Sequence, residues 1–174
     1  EKTIPVTVKD IYGNVYTTDT KVNVTERVKK AGDFDWDEAV IYFTVTDRFF
    51  DGDAENNDAY GVGDYNIGEK GGSSYHGGDF AGLNQKLDYL KDLGVNTIWI
   101  TPIVENITED QHDNKTDTAT YGYHGYWASD FTKLNKHLGT EEQFKALLEA
   151  AHSKGMKIMV DVVLNHAGYE TEGY

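Results

Sequence analysis

The sequence has no cysteine, only two prolines, and few basic residues for its size. Without thiols there is no disulfide framework, no thiolate zinc site and no cysteine nucleophile. Missing cysteine does not fix the compartment, because many secreted bacterial proteins also lack it. Lys and Arg number 16 against 30 Asp and Glu, a formal net charge of −14 over 174 residues. That balance repels nucleic acid and anionic membrane surfaces, and argues against both as main partners. No run approaches the ~18 apolar residues of a membrane span. Glu1-Lys2-Thr3 does not open a signal peptide, which is compatible with a leader already removed. The 39% apolar and 13% aromatic residues are enough for a packed core.

The charge divides unevenly. Residues 1–32 carry six basic and four acidic residues, whereas 33–174 carry ten and 26. In the first stretch, Ile4–Val8, Val15–Thr17 and Lys21–Val24 alternate in short runs around a Gly13-Asn14 turn signal. This predicts a hairpin plus an edge strand. It is either the tail of a β-sandwich or a β extension of the main domain, with a linker at Lys29–Gly32.

From Asp37 the pattern changes. Ala39–Val45, Val95–Ile100 and Met156–Leu164 are nearly continuous apolar runs, as in strands buried on both faces. Between them, Phe80, Leu83, Leu87, Leu90 and Leu93 recur at helical spacing after Asp79 and before Gly94. Thr140 and Gln143 fit a capping box for a second helix, which carries Phe144, Leu147, Leu148 and Ala151 on one face and stops at Gly155. Strands alternating with helices predict a parallel α/β sheet with right-handed crossovers. Two long polar loops, 51–78 and 102–137, follow strands, where parallel α/β folds place their sites.

Four stretches could carry chemistry. Asp51-Gly52-Asp53-Ala54-Glu55-Asn56-Asn57 has the oxygen-rich composition of a calcium loop without EF-hand spacing, or of a solvated acidic turn. His76-Gly77-Gly78-Asp79 reads as a tight turn into an N-cap, or as backbone brought close to an ion. Thr120–Phe131 packs five aromatic residues and a histidine among glycines. It is either a platform for sugar faces or a small satellite core. Asp161–His166 ends the third strand, and Asn165-His166 by itself is an ordinary strand terminator. No phosphate-binding glycine loop, nucleophile elbow or zinc spacing occurs.

Together, in this order and spacing, these stretches resemble the α-amylase family of retaining glycoside hydrolases. The resemblance is closest to the branch of cyclodextrin glucanotransferases, maltogenic amylases and fungal-type α-amylases, and covers about residues 36 to 170. It implies the first three strands and two helices of a (β/α)8 TIM barrel (34–166), preceded by a β tail (1–33) and followed by the start of an inserted domain B (167–174). It implies Ca²⁺ held by Asp51, Asp53, Asn56, Asn57, the Gly77 carbonyl and Asp79, with Asn165 contributing to a second calcium. It implies sugar contacts from His124, Tyr126, Trp127 and His166, with His166 donating a hydrogen bond in the transition state. Asp161 is then an organiser paired with an arginine of the next strand.

A full barrel takes about 250 residues. The family's nucleophilic Asp, acid/base Glu and further Asp follow its fourth, fifth and seventh strands, so none is in this chain. The expectation is the N-terminal part of an extracellular, α-1,4-glucan-hydrolysing enzyme. It would need the rest of the barrel as its partner, as a second fragment or as a continuation. The alternatives are transglycosylation, cyclodextrin opening or pullulan cleavage, or a non-catalytic, calcium-stabilised carbohydrate-binding fragment.

Overall fold

A computed structural model of the chain describes residues 1–24, 33–68 and 72–169. The expected linker, Lys29–Gly32, and most of the expected domain B entry, from Glu170, lie outside the described residues. The chain divides into two compact units, Glu1–Trp36 and the remainder from Asp37.

The first unit is an antiparallel hairpin of β1 (Lys2–Lys9) and β2 (Val15–Val22), paired from Lys2↔Val22 to Lys9↔Val15. The Asp10 carboxylate holds the turn, accepting from the Tyr12 and Asn14 amides at 2.9 Å each and from the Asn14 side chain at 2.8 Å. These bonds, led by the Asn14 side chain, keep the carboxyl below its ordinary value. The separate edge strand expected at Lys21–Val24 does not form. Lys21 and Val22 instead complete β2, because the pairing with Lys2 and Thr3 runs on to the end of the hairpin.

In the second unit, β3 (Ile41–Thr44), β4 (Thr97–Ile100) and β7 (Lys157–Val160) form a parallel sheet in the order β3-β4-β7. One sheet face packs on helices. Ile98 and Ile100 meet Phe80, Leu83, Leu87, Leu90, Leu147 and Ala151 in a single core. Each such Ile, Leu or Phe side chain, fully buried, is stabilised by about 1.5–3 kcal/mol relative to water. The other face differs from the expectation of strands buried on both sides: Ile41, Phe43 and Trp99 stay 47%, 45% and 37% exposed. Phe43 and Trp99 lie edge to face, 4.8 Å between centroids.

The helix expected across 80–93 is two helices, α1 (Phe80–Gln85) and α2 (Leu87–Asp92), interrupted at Lys86, whose ψ is 7°. The apolar spacing continues across the break, so periodicity alone reports one helix. α1 is tied to the preceding loop by the Gln85 side-chain Nε2, which donates to the Gly52 carbonyl, while the Lys86 ammonium sits over the Phe50 ring. α3 (Glu141–Ser153) begins with the expected capping box, Thr140 and Gln143 bonding reciprocally. The third parallel strand stops at Val160 rather than Leu164. Asp161 still donates its amide to the Ile100 carbonyl of β4 at 3.0 Å, but 162–164 lie outside the strand, and Val162 and Leu164 are exposed.

The loop expected at 102–137 holds an antiparallel pair, β5 (Val104–Asn106) and β6 (Ala128–Leu134), with register shifts on both sides of Glu105. A buried cluster pins this segment to the loop after β3. His137 bonds Asp64 at 3.0 Å, stacks on Tyr75 at 3.7 Å between centroids, and Tyr75 accepts from Asn135. Burial pushes the Tyr75 phenol up and the neighbouring Tyr60 phenol to about 12. The three loops that follow the parallel strands therefore open at one edge of the sheet, at the carboxyl ends of its strands.

Candidate functional site

Two groups of residues lie on those loops. The first is aromatic. Tyr126 donates its hydroxyl to Asp161 Oδ2 at 3.0 Å, joining the second loop to the end of β7. His124 stacks on Tyr126, 5.6 Å between centroids at 22°, and meets Trp127 edge-on at 4.6 Å. The turn is held from beneath: Asn106, buried, accepts the Trp127 amide at 2.8 Å. His124 Nδ1 accepts the Tyr126 amide at 3.0 Å. That bond places the imidazole proton on Nε2, leaving one N–H for a ligand hydroxyl. His166 is exposed and puts Nε2 on the Tyr126 carbonyl at 2.9 Å. Its donor is spent there, so Nδ1 is an acceptor in the neutral ring and a donor only in the imidazolium. An apolar cleft of about 210 Å³ opens beside Tyr126, Asp161 and His166, walled by Val104, Phe131 and Val160.

The second group is the oxygen-rich loop. Asp79, fully buried at the N-cap of α1, accepts four N–H groups: the Gly82 amide at 2.6 Å, Gly52 at 3.2 Å, Asp53 at 2.9 Å and the Asn56 side chain at 3.0 Å. All four donors are neutral, and burial, the largest influence, raises this carboxyl above its ordinary value. The Asn57 side-chain amide donates to Asp51 Oδ2 at 2.8 Å. With both amide nitrogens on carboxylates, Asn56 Oδ1 and Asn57 Oδ1 are left buried without a hydrogen-bond partner. Gly77 closes the group at φ +86°, and a Cβ there would collide with Asn57 Oδ1 and lie 2.8 Å from Asp51 Oδ2.

Two buried amide oxygens without partners are costly unless a cation completes them. No group of three or more His, Cys, Asp or Glu placed to hold a metal occurs among the described residues. Asp51, Asp53 and Asp79 are therefore not such a group by themselves, and the other three expected ligands are the amide oxygens of Asn56 and Asn57 and the Gly77 carbonyl. Asp53 is turned partly to other work: Oδ1 takes the Glu55 amide at 3.2 Å and Oδ2 the Gln143 side chain at 2.8 Å. Asn165 lies on a different loop, exposed, beyond β7.

Residues 43–174 match the model of the alpha-amylase catalytic domain. The chain belongs to the alpha-amylase family. It is 43% identical over 143 residues to the periplasmic alpha-amylase of Escherichia coli K12, covering 79% of this chain and 20% of that protein. Among solved structures it is similar to a three-domain cyclomaltodextrin glucanotransferase, with a TM-score of 0.69 and 38% identity over 75% of this chain and 26% of the other. An acarbose complex of a Geobacillus thermoleovorans alpha-amylase gives a TM-score of 0.62 and 36% identity, over 79% and 25%. These neighbours imply a TIM-barrel fold, of which this alpha-amylase-family chain spans about a fifth to a quarter of each relative's length.

Sequence reasoning missed the residues joining the two groups. Asp47, buried, accepts the His76 amide at 2.9 Å and the Gly77 amide at 3.2 Å, and pairs with Arg48. The Arg48 guanidinium lies 3.8 Å over the Tyr123 ring, which meets His124 edge-on. The available signal was position: like Asp161, Asp47-Arg48 is polar sequence directly after an apolar strand.

Burial, then the Arg48 charge, lowers the His124 pKa below its ordinary 6.5. The unfolded chain therefore binds the proton more readily than the fold does. The stability this ring contributes is present above about pH 6.5 and falls away as pH drops toward the lowered folded value. The thermal midpoint should fall between about pH 7.5 and 5.5, and His124→Gln should flatten that fall. An identical slope in both proteins would exclude His124 as its source.

Proposed function

We propose that this chain supplies the N-terminal part of a retaining glycoside hydrolase that cleaves α-1,4-glucosidic bonds of starch-type glucans. The carrying observation is the convergence of Tyr126, His124, Trp127, His166 and Asp161 at the carboxyl edge of a parallel sheet in an alpha-amylase-family chain. The Tyr126 ring takes the apolar face of a sugar, and the His124 Nε2–H and the His166 ring hold its hydroxyls. Hydrogen bonds of this kind strengthen as the ring flattens toward an oxocarbenium ion and supply several kcal/mol. Asp161 orients Tyr126 and is not the nucleophile.

The β3-β4-β7 sheet corresponds to the first three barrel strands, and residues from 167 begin domain B. The exposed face bearing Ile41, Phe43 and Trp99 is then barrel interior, which the remaining strands cover. Asp51, Asp53, Asn56, Asn57, Gly77 and Asp79 hold a Ca²⁺ ion whose charge offsets the buried Asp79 and the half-buried Asp51 and Asp53 carboxylates. Asn165 serves a second ion completed by later loops. The protein is exported, as its periplasmic relative's name indicates for that enzyme. No helix among the described residues is long and apolar enough to cross a membrane.

Retaining hydrolysis needs two carboxyl groups about 5–5.5 Å apart, here supplied by later strands. The complete enzyme should release products from starch with retained anomeric configuration, read by NMR of the first products. The 174-residue chain alone, shown free of any second fragment, should release none. Starch hydrolysis by the isolated chain would overturn this division of labour. The likeness to a cyclomaltodextrin glucanotransferase supports a second reading, transglycosylation. Cyclic or elongated products from the complete enzyme would select it.

A further inference from the structure

We propose that Gln143 is a positioning residue for the cation loop, joining the cap of α3 to the orientation of Asp53. The inference rests on the calcium reading above and deepens it. Gln143 stands at the third position of α3, where its Oε1 accepts the Thr140 amide at 2.8 Å as half of the capping box. A capping glutamine needs only that oxygen. Here its Nε2 reaches across 90 residues of sequence to Asp53 Oδ2 at 2.8 Å. Among the described residues this is the one donor to that oxygen, while Oδ1 is held by the Glu55 amide. The two bonds fix both the plane and the rotation of the Asp53 carboxylate, leaving lone pairs for an ion.

The neighbourhood is shaped for this side chain. Gly139 sits at φ +112°, and a Cβ at that position would collide with Gln143 Oε1. The side chain can fold back over residue 139 only because that residue is glycine. The two Gln143 bonds are separable. Thr140 shares the cap but does not touch Asp53, so removing the Thr140 hydroxyl damages the helix start and leaves the Asp53 contact in place. Residues that orient metal ligands typically change metal affinity by 10–100-fold when lost.

The experiment titrates the complete enzyme with Ca²⁺ alone, by calorimetry, after chelator treatment. It compares wild type, Gln143→Ala and Thr140→Ala, and records the calcium-free thermal midpoint of each. Gln143→Ala should weaken Ca²⁺ binding by at least about tenfold. Thr140→Ala should lower the calcium-free midpoint and leave the calcium affinity within about twofold of wild type. Should Gln143→Ala not fold, Gln143→Glu retains an oxygen for the cap but has no proton to give Asp53, and an unchanged affinity in it overturns the proposal. Equal affinities in wild type and Gln143→Ala overturn it as well. Equal losses in Gln143→Ala and Thr140→Ala would reduce the effect to helix stability and likewise overturn it. Wild type that takes up no Ca²⁺ would instead remove the calcium reading beneath it.

Discussion

Replacing Tyr126 by alanine should lower kcat/KM of the complete enzyme on soluble starch by about 100-fold or more, which is about 2.7 kcal/mol at 1.36 kcal/mol per decade. Two losses add to that figure. A sugar face laid on the ring removes roughly 80 Å² from water, about 2 kcal/mol at ~25 cal/mol per Å². The ring also carries the hydroxyl that bonds Asp161 at 3.0 Å. A hydrogen bond to a carboxylate contributes about 1.5–3 kcal/mol when buried, and less at this partly exposed position. Tyr126→Phe separates the two: it keeps the platform and should lose only about tenfold. The ring touches ground state and transition state alike, so much of the alanine effect should appear in KM. The hydroxyl ties the ring to Asp161, so the phenylalanine effect is that of a platform less firmly oriented. If Tyr126→Ala left kcat/KM unchanged, the sugar platform would have to be sought elsewhere on this edge.

The platform was legible in sequence as composition, and the reason it works was not. Thr120–Phe131 announced aromatic residues in a glycine-rich stretch. That Tyr126 meets Asp161, 35 residues away, and that Asn106 holds the Trp127 amide, depend on the β5–β6 pairing. That pairing left no periodic trace, because β5 is three residues long and its ladder is shifted on both sides of Glu105. The parallel strands were readable because strands covered on both faces carry continuous apolar runs. Phe43 and Trp99 are 45% and 37% exposed in this chain, and on the barrel reading proposed above later strands cover them. The break at Lys86 was invisible because the apolar spacing from Leu83 to Leu87 is that of an unbroken helix. In the cation loop the sequence offered oxygens without saying which would lose their partners. Only the fold puts Asn56 and Asn57 nitrogens on carboxylates and turns their oxygens inward.

Those inward oxygens set the second large effect. Chelating calcium should lower the thermal midpoint of the complete enzyme, and restoring the ion should recover it. At free Ca²⁺ one hundred times the dissociation constant, binding adds about 2.7 kcal/mol to the folded state. For a domain of 150–250 residues that is roughly 5–10 °C, and proportionally less for a larger cooperative unit. Asp79→Ala should abolish the response. It also removes the acceptor of four N–H groups and the cap of α1, so its calcium-free midpoint should fall below that of chelated wild type. Gly77→Ala isolates the ion from the cap. Its methyl group would strike Asn57 Oδ1 and crowd Asp51 Oδ2 while leaving every bond to Asp79 intact. It should therefore remove most of the calcium response, whereas the helix start is retained. The positive φ at residue 77 costs this variant about 1 kcal/mol with or without the ion, so the calcium-dependent difference is the diagnostic quantity. If chelation left the midpoint of wild type unmoved, the buried Asn oxygens would need another partner. If instead Gly77→Ala responded to calcium as fully as wild type, the ion would bind away from Gly77, and Asp51 and Asn57 would leave its ligand set.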